Sequence, residues 1–245
     1  MDYGTIRPDK STILKWCVCY VALSLLVGFL FYGTHLAGCA GMAGLPLFLK
    51  HKIRLWQKQR RQELLVQFKE LIRSYGNSLK AGYSVENGFR EAYKDLAWQY
   101  DSGEMIMTEC RQMIAKMENK HSLEELFMDL GKRSLSEDIR DFASVFSVAR
   151  KSGGNLAAII SDTAMKISDK LMVTEEIELM FASKRFEQKI MNCIPVFMMC
   201  YIGLGTPGYF DPLYKNAAGI AVMSGCLLLY GAALLLSQKI MDIRV

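Results

Sequence analysis

The sequence predicts an all-α membrane protein, a cytoplasmic bundle of about six helices between two transmembrane helical hairpins. Three observations carry that expectation. Trp16 to Leu49, Ile190 to Phe210 and Asn216 to Gln238 contain no Asp, Glu, Lys or Arg. The charges collect between the first and second of these stretches. In that middle part apolar residues recur at three- and four-residue spacing, and no alternating β-branched run competes. Three parts follow: an N-terminal hairpin over 1–49, a cytoplasmic helical domain over 50–189 and a C-terminal hairpin over 190–245.

The first apolar stretch is too long for one span. As a single helix it would reach about 50 Å at ~1.5 Å per residue, against a hydrocarbon core of ~30 Å. A break at Gly33-Thr34-His35 divides it into two short spans, Lys15 to Tyr32 and Leu36 to Leu49. A single longer span is the alternative. Ala37, Gly38, Ala40, Gly41, Ala43 and Gly44 let the second span approach a neighbouring helix closely. Pro46 loosens its end. A cleaved signal peptide is disfavoured, because no cleavage site is followed by a polar mature start. At the other end, Thr206-Pro207-Gly208-Tyr209-Phe210-Asp211-Pro212 is a turn between two further spans. Pro195, inside the third span, is expected as a tolerated kink.

Basic residues set the orientation. Lys50, Lys52, Arg54, Lys58, Arg60 and Arg61 follow the first hairpin without an intervening acid, and Lys184, Arg185 and Lys189 precede the second. Arg7, Lys10, Lys15, Lys239 and Arg244 stand near the termini, whereas the outer turns hold only Lys215. Every basic cluster faces the cytoplasm only if each apolar end crosses an even number of times. That parity favours four spans, with both termini in the cytoplasm of a plasma or inner-membrane protein. Beside a span, the run from Lys50 to Arg61 reads as a contact for lipid headgroups rather than for nucleic acid. A net charge of +5 is too mild to suggest a nucleic-acid binder.

The middle reads as successive helices. Leu64, Phe68, Leu71, Ile72, Tyr75 and Leu79 form one stripe, ended by Gly82. Ser84 caps a second helix with Val85, Phe89 and Ala92. A third, after Ser102, carries Ile106, Cys110, Met113, Ile114 and Met117. Ser122-Leu123-Glu124-Glu125 matches a capping box before Leu126, Phe127 and Leu130, with Gly131 as its expected end. Ser136 caps a fifth helix with Ile139, Phe142, Val145, Phe146 and Ala149, which Gly153-Gly154 breaks. Asn155 caps a sixth, with Leu156, Ile159, Ile160, Thr163, Ala164, Ile167 and Leu171, that continues toward the third span. Ala81-Gly82-Tyr83-Ser84 and Ser152-Gly153-Gly154-Asn155 share a form that either an internal duplication or coincidence would produce.

No residue pattern points to catalysis, and neither a cofactor nor a metal is expected. His35, His51 and His121 lack ligand spacing. There is no Walker-type loop and no G-x-S-x-G elbow. Asp138-x-x-Asp141 and Glu175-Glu176-x-Glu178 read as solvated faces before metal sites. The spans carry no ionisable residue of the kind a proton- or ion-coupled carrier uses. Six of the seven cysteines, all but Cys110, lie in apolar segments, and none form a C-x-x-C pair, so they read as small hydrophobes.

Phe142 to Asp169, FASVFSVARKSGGNLAAIISDTAMKISD, resembles the hallmark of the type II secretion F family: a helix, a G-G-N-L junction and a second helix. Leu79-Lys80-Ala81-Gly82-Tyr83-Ser84 is similar to that family's L-x-A-G-x-S stretch, and Ser122 to Arg133 to the element after it. Ile194-Pro195 and Pro207-Gly208-Tyr209 match the prolines of its C-terminal hairpin. The resemblance covers about Gln67 to Tyr214 and looks most like the TadB-like branch of tight-adherence (Flp) pilus systems. Where the family often has I-R-x-R, this chain has Ile167-Ser168-Asp169-Lys170. The resemblance implies an inner-membrane assembly platform, not an enzyme. Its implied partners are a cytoplasmic secretion or pilus ATPase, prepilin subunits, and a sister F-domain protein (TadC-like) or a second copy. Gly82, Ser84, Gly153, Gly154 and Asn155 are expected to shape the bundle rather than bind a ligand. A membrane-anchored scaffold or receptor for another partner is the alternative, and a transporter a weaker one.

Overall fold

The computed structural model of the chain describes residues 3, 8–33, 44–152, 155–206, 208–214 and 216–241. Among them all regular structure is helical: α1 Lys10–Tyr32, α2 Leu45–Lys80, α3 Val85–Leu96, α4 Met105–Glu118, α5 Leu123–Ser134, α6 Glu137–Ser152, α7 Leu156–Gly205, α8 Asp211–Tyr214 and α9 Ala217–Met241. The chain divides into two compact units. One holds Met1–Arg7 and Ile53–Val173, the other Pro8–Lys52 and Thr174–Val245.

The first unit is a helical body built on the expected stripes. Leu64, Phe68, Leu71, Ile72 and Tyr75 of α2 are fully buried, together with Phe89, Ile106, Phe127, Ile139, Phe142 and Ile160 from the other helices. Phe127 is the hub. Its ring lies 5.0 Å from that of Phe146, 5.1 Å from Phe142, 5.7 Å from Phe89 and 6.3 Å from Phe68, each edge to face. That geometry brings ring edges to ring faces, adding electrostatic attraction to the burial of apolar area.

Two details of the body differ from expectation. Gly131 does not close its helix. α5 runs on to Ser134 and ends at Leu135, whose φ of 54° is left-handed. Gly131 is buried, and a Cβ there would sit 2.9 Å from the Arg140 Cα. The glycine therefore lets α5 and α6 touch backbone to backbone. Val145 is 44% exposed rather than buried, because Phe142, Phe146 and Ala149 take the inward face of α6.

The second unit contains two helices long and apolar enough to cross a membrane, Lys10–Tyr32 and Ala218–Ser237. Only 11% and 6% of their apolar windows are buried, so neither is the enclosed core helix of a water-soluble fold. α1 begins earlier than expected because the Asp9 carboxylate caps Lys10 N–H at 2.8 Å and accepts from the Ser11 hydroxyl at 2.7 Å. It ends as expected at Gly33, with φ 64°. The remainder of that expected break, Thr34-His35, and most of the expected second span lie outside the described residues. Pro46 falls in the first turn of α2, where a missing N–H costs nothing. Hence it starts that helix rather than loosening a span.

Leu30 and Phe31 of α1 pack with Met223 of α9 in this unit, flanked by Val196, Met199 and Cys200 of α7 and Tyr214 of α8. Tyr32 Oη and Ser224 Oγ are 2.8 Å apart, a side-chain hydrogen bond between α1 and α9. α7 runs through Pro195 without interruption. In the turn before that proline, the Tyr230 hydroxyl of α9 donates to the Asn192 carbonyl.

Candidate functional site

Four features of the helical body are candidates: the helix junctions, a groove, a buried ion pair and the basic start of the body.

The junction residues act as caps. Gly82 adopts φ 91°, and Tyr83 N–H then donates to the Ser78 carbonyl at 3.2 Å, closing α2. Ser84 Oγ accepts from Asn87 N–H at 3.4 Å, Ser122 Oγ from Glu125 N–H at 3.3 Å and Asn155 Oδ1 from Ala158 N–H at 3.1 Å. Each side-chain oxygen thus takes an N–H that its helix leaves free. Gly153 and Gly154 lie outside the described residues. The structure also gathers these starts at one end of the body. Arg150, on the last turn of α6, reaches Glu86 of α3 at 2.7 Å and Glu124 of α5 at 3.0 Å. Both carboxylates stand in first turns, where the helix dipole favours negative charge. Among the described residues this end is a structural clasp, tying α3, α5 and α6 together through Arg150.

A groove of about 910 Å³ runs between α6 and the first part of α7. Phe142, Ala149 and Ile167 contribute apolar lining, together with the exposed Val145 and Val148. Lys170 closes one end by holding both Asp138 carboxylate oxygens, at 2.8 and 3.1 Å. Lys166 pairs with Asp162 at 2.8 Å. Asp138 and Asp162 are thus engaged, Asp141 also lines the groove, and with its lining mostly apolar the groove suits contact with an apolar surface. Among the described residues no three His, Cys, Asp or Glu side chains could hold a metal ion.

Sequence reasoning missed the buried polar residues. Glu109 of α4 is 1% exposed, and Arg133 of α5 donates to its two oxygens at 2.9 and 2.8 Å, a bidentate pair. Arg133 also holds Asp129 at 2.9 Å. Tyr3 completes the cluster: its hydroxyl donates to Glu109 at 3.1 Å and its N–H to the Arg133 carbonyl at 3.0 Å. Burial alone would push the Glu109 carboxyl up. The hydrogen bonds and charge of Arg133 lead the influences that outweigh it, and the carboxyl is held below the ordinary range. Burial, and then the neighbouring Glu109 charge, raise the Tyr3 phenol and the Cys110 thiol, which leaves the thiol unreactive. Asp129 and Arg133 are a local i,i+4 pair, but no local signal joins them to Glu109 or Tyr3, which lie tens of residues away in sequence. Gln67 is a similar case. From α2 it accepts the Ile106 N–H at 3.1 Å and donates to Glu104 at 2.8 Å. It serves as a long-range cap for α4, whose own N-cap Glu104 makes no side-chain capping bond.

The basic start of the body lies on α2. Arg54 and Lys58 are exposed, Arg60 and Arg61 half-buried. Arg60 binds Glu63 at 2.9 Å and lies 5.3 Å from the centre of the Trp56 ring. Arg54, Lys58 and Arg61 reach no carboxylate among the described residues, and the buried Arg61 Nε finds no acceptor there. In the second unit, Lys50 and Lys52 are exposed at the start of α2, while on α7 Lys184 pairs with Glu187 at 3.1 Å and Arg185 and Lys189 are exposed. Set against protein-family models, curated proteins and solved structures, the chain matches none.

Proposed function

We propose that this chain is an inner-membrane assembly platform of a type II secretion or tight-adherence (Flp) pilus system, coupling a cytoplasmic ATPase to assembly or export of pilin subunits. The observation that carries the reading is the agreement between sequence motif and helix boundary. The stretches resembling the F family, around Gly82 to Ser84, Ser122 to Arg133 and Asn155 onward, fall at the junctions and caps of one helical body. The exposed apolar helices on either side of that body in sequence support a multi-pass protein. Tyr3, held between Glu109 and the Arg133 carbonyl, supports an N-terminus on the body's side of the bilayer. The groove between α6 and α7, mostly apolar in its lining, offers a surface for a protein partner.

In-frame deletion tests this function. The expected result is loss of surface fibres while prepilin accumulates. A deletion strain with normal fibres refutes the platform. Co-purification of the full chain with a cytoplasmic secretion or pilus ATPase of the same cell separates the platform from a scaffold serving another partner.

A further inference from the structure

We infer that Arg54, Lys58 and Arg61 form a docking stripe for anionic phospholipid headgroups, which stabilises the start of the helical body against the bilayer surface. The inference rests on the membrane part of the reading above and not on the platform role.

At 3.6 residues per turn, positions 54, 58 and 61 fall within roughly 60° of arc on α2. All three are cationic, and no carboxylate among the described residues answers them. The contrast within the same body is direct. Lys69, Arg73, Arg90, Lys116 and Arg150 each reach a carboxylate, at 2.7 to 3.7 Å. Lys120 and Lys151 of the body also reach no carboxylate among the described residues. Like charges at i,i+4 and i,i+3 destabilise a helix, so Arg54–Lys58 and Lys58–Arg61 carry a cost that an external anion removes.

Two features select a lipid surface over nucleic acid. The stripe begins five residues after the charge-free Gly44–Leu49, at the point where a polybasic segment meets an anionic leaflet. Leu55, 45% exposed, and Trp56 lie among the cations. Trp beside Arg suits the boundary of headgroup and acyl chain. A phosphate-tracking nucleic-acid site would instead pair its cations with exposed stacking aromatics, and Trp56 is half-buried with its ring engaged by Arg60.

The full chain is reconstituted into nanodiscs of phosphatidylcholine with none or about one-third phosphatidylglycerol, and amide exchange is followed over 53–62. One cation near an anionic leaflet is worth about a fivefold change in an equilibrium. Two to three contacts therefore slow exchange there by about 25- to 125-fold with phosphatidylglycerol, and high salt reverses the effect. R54Q/K58Q/R61Q loses the response, and R54Q/K58Q, which leaves the half-buried Arg61 in place, loses most of it. Unchanged protection over Leu64–Tyr75 reports that the variants are folded. Equal exchange in both lipids, an undiminished response in a folded variant, or protection by added RNA in pure phosphatidylcholine overturns the inference while the membrane reading stands. A chain that does not enter the discs overturns both.

Discussion

Replacing Arg133 by methionine isolates the buried ion pair. The substitution keeps a long, flexible chain at the site but removes both hydrogen bonds to Glu109 and the one to Asp129. Glu109, 1% exposed, then loses the bidentate counter-charge that Arg133 supplies. Breaking a buried pair in this way costs about 3–5 kcal/mol, far more than an exposed pair at about 0–1 kcal/mol. At about 1.4 kcal/mol per tenfold, the unfolded fraction of the body rises at least about a hundredfold at pH 7. The pH dependence carries the sign. In the native protein the Glu109 carboxyl is held low by Arg133, so it contributes stability above the unfolded carboxyl pKa of about 4.3, lost as pH falls through the folded value. In R133M the lowering by Arg133 is lost while burial remains, so the carboxyl moves up from its native value. That variant regains stability as acidification protonates Glu109, so the gap between the two proteins narrows. E109Q/R133M, with no charge to strand, recovers most of the loss at pH 7. Denaturant unfolding of the full chain in detergent, read by near-UV circular dichroism between pH 4 and 8, measures all three proteins. An R133M cost below about 1 kcal/mol at pH 7, or one independent of pH, refutes this reasoning.

Phe127→Ala removes the hub of the aromatic cluster and is expected to cost about 3–5 kcal/mol in the same assay. Gly131→Val places a Cβ against the Arg140 backbone and is expected to cost about 1–3 kcal/mol, with altered exchange at the α5–α6 contact rather than at the end of α5. Leu135→Gly relieves a left-handed backbone at an exposed side chain and is expected to raise stability by up to about 1 kcal/mol. Asn155→Ala removes the cap of α7 at a cost of about 1 kcal/mol, with faster exchange confined to its first turn.

The local part of the architecture was legible in the sequence. Capping chemistry acts within three or four residues, so Ser84, Ser122 and Asn155 announce the helix starts that the structure contains. Gly33 and Gly82 announce two ends through left-handed backbone. What was hidden depends on contacts between distant segments. In one dimension Gly131 reads as a terminator, because a glycine needed for close approach and one needed for a turn look alike. Gln67 as the cap of α4 and Tyr3 as a partner of Glu109 join residues 39 and 106 positions apart, with no periodicity to betray them. The basic run from Lys50 was plain as composition. Its division into Arg60, which is paired with Glu63, and a stripe at 54, 58 and 61 needed the phase of α2 and the positions of the acids.

The account's central claim is that the helical body lies on the cytoplasmic side, where a motor ATPase can reach it. Trp98, 91% exposed on the turn after α3, provides the reporter. Chymotrypsin added to sealed spheroplasts is expected to leave the body intact, and after lysis to cut at Trp98. Cleavage at Trp98 in sealed spheroplasts, with a cytoplasmic marker still intact, would contradict the account.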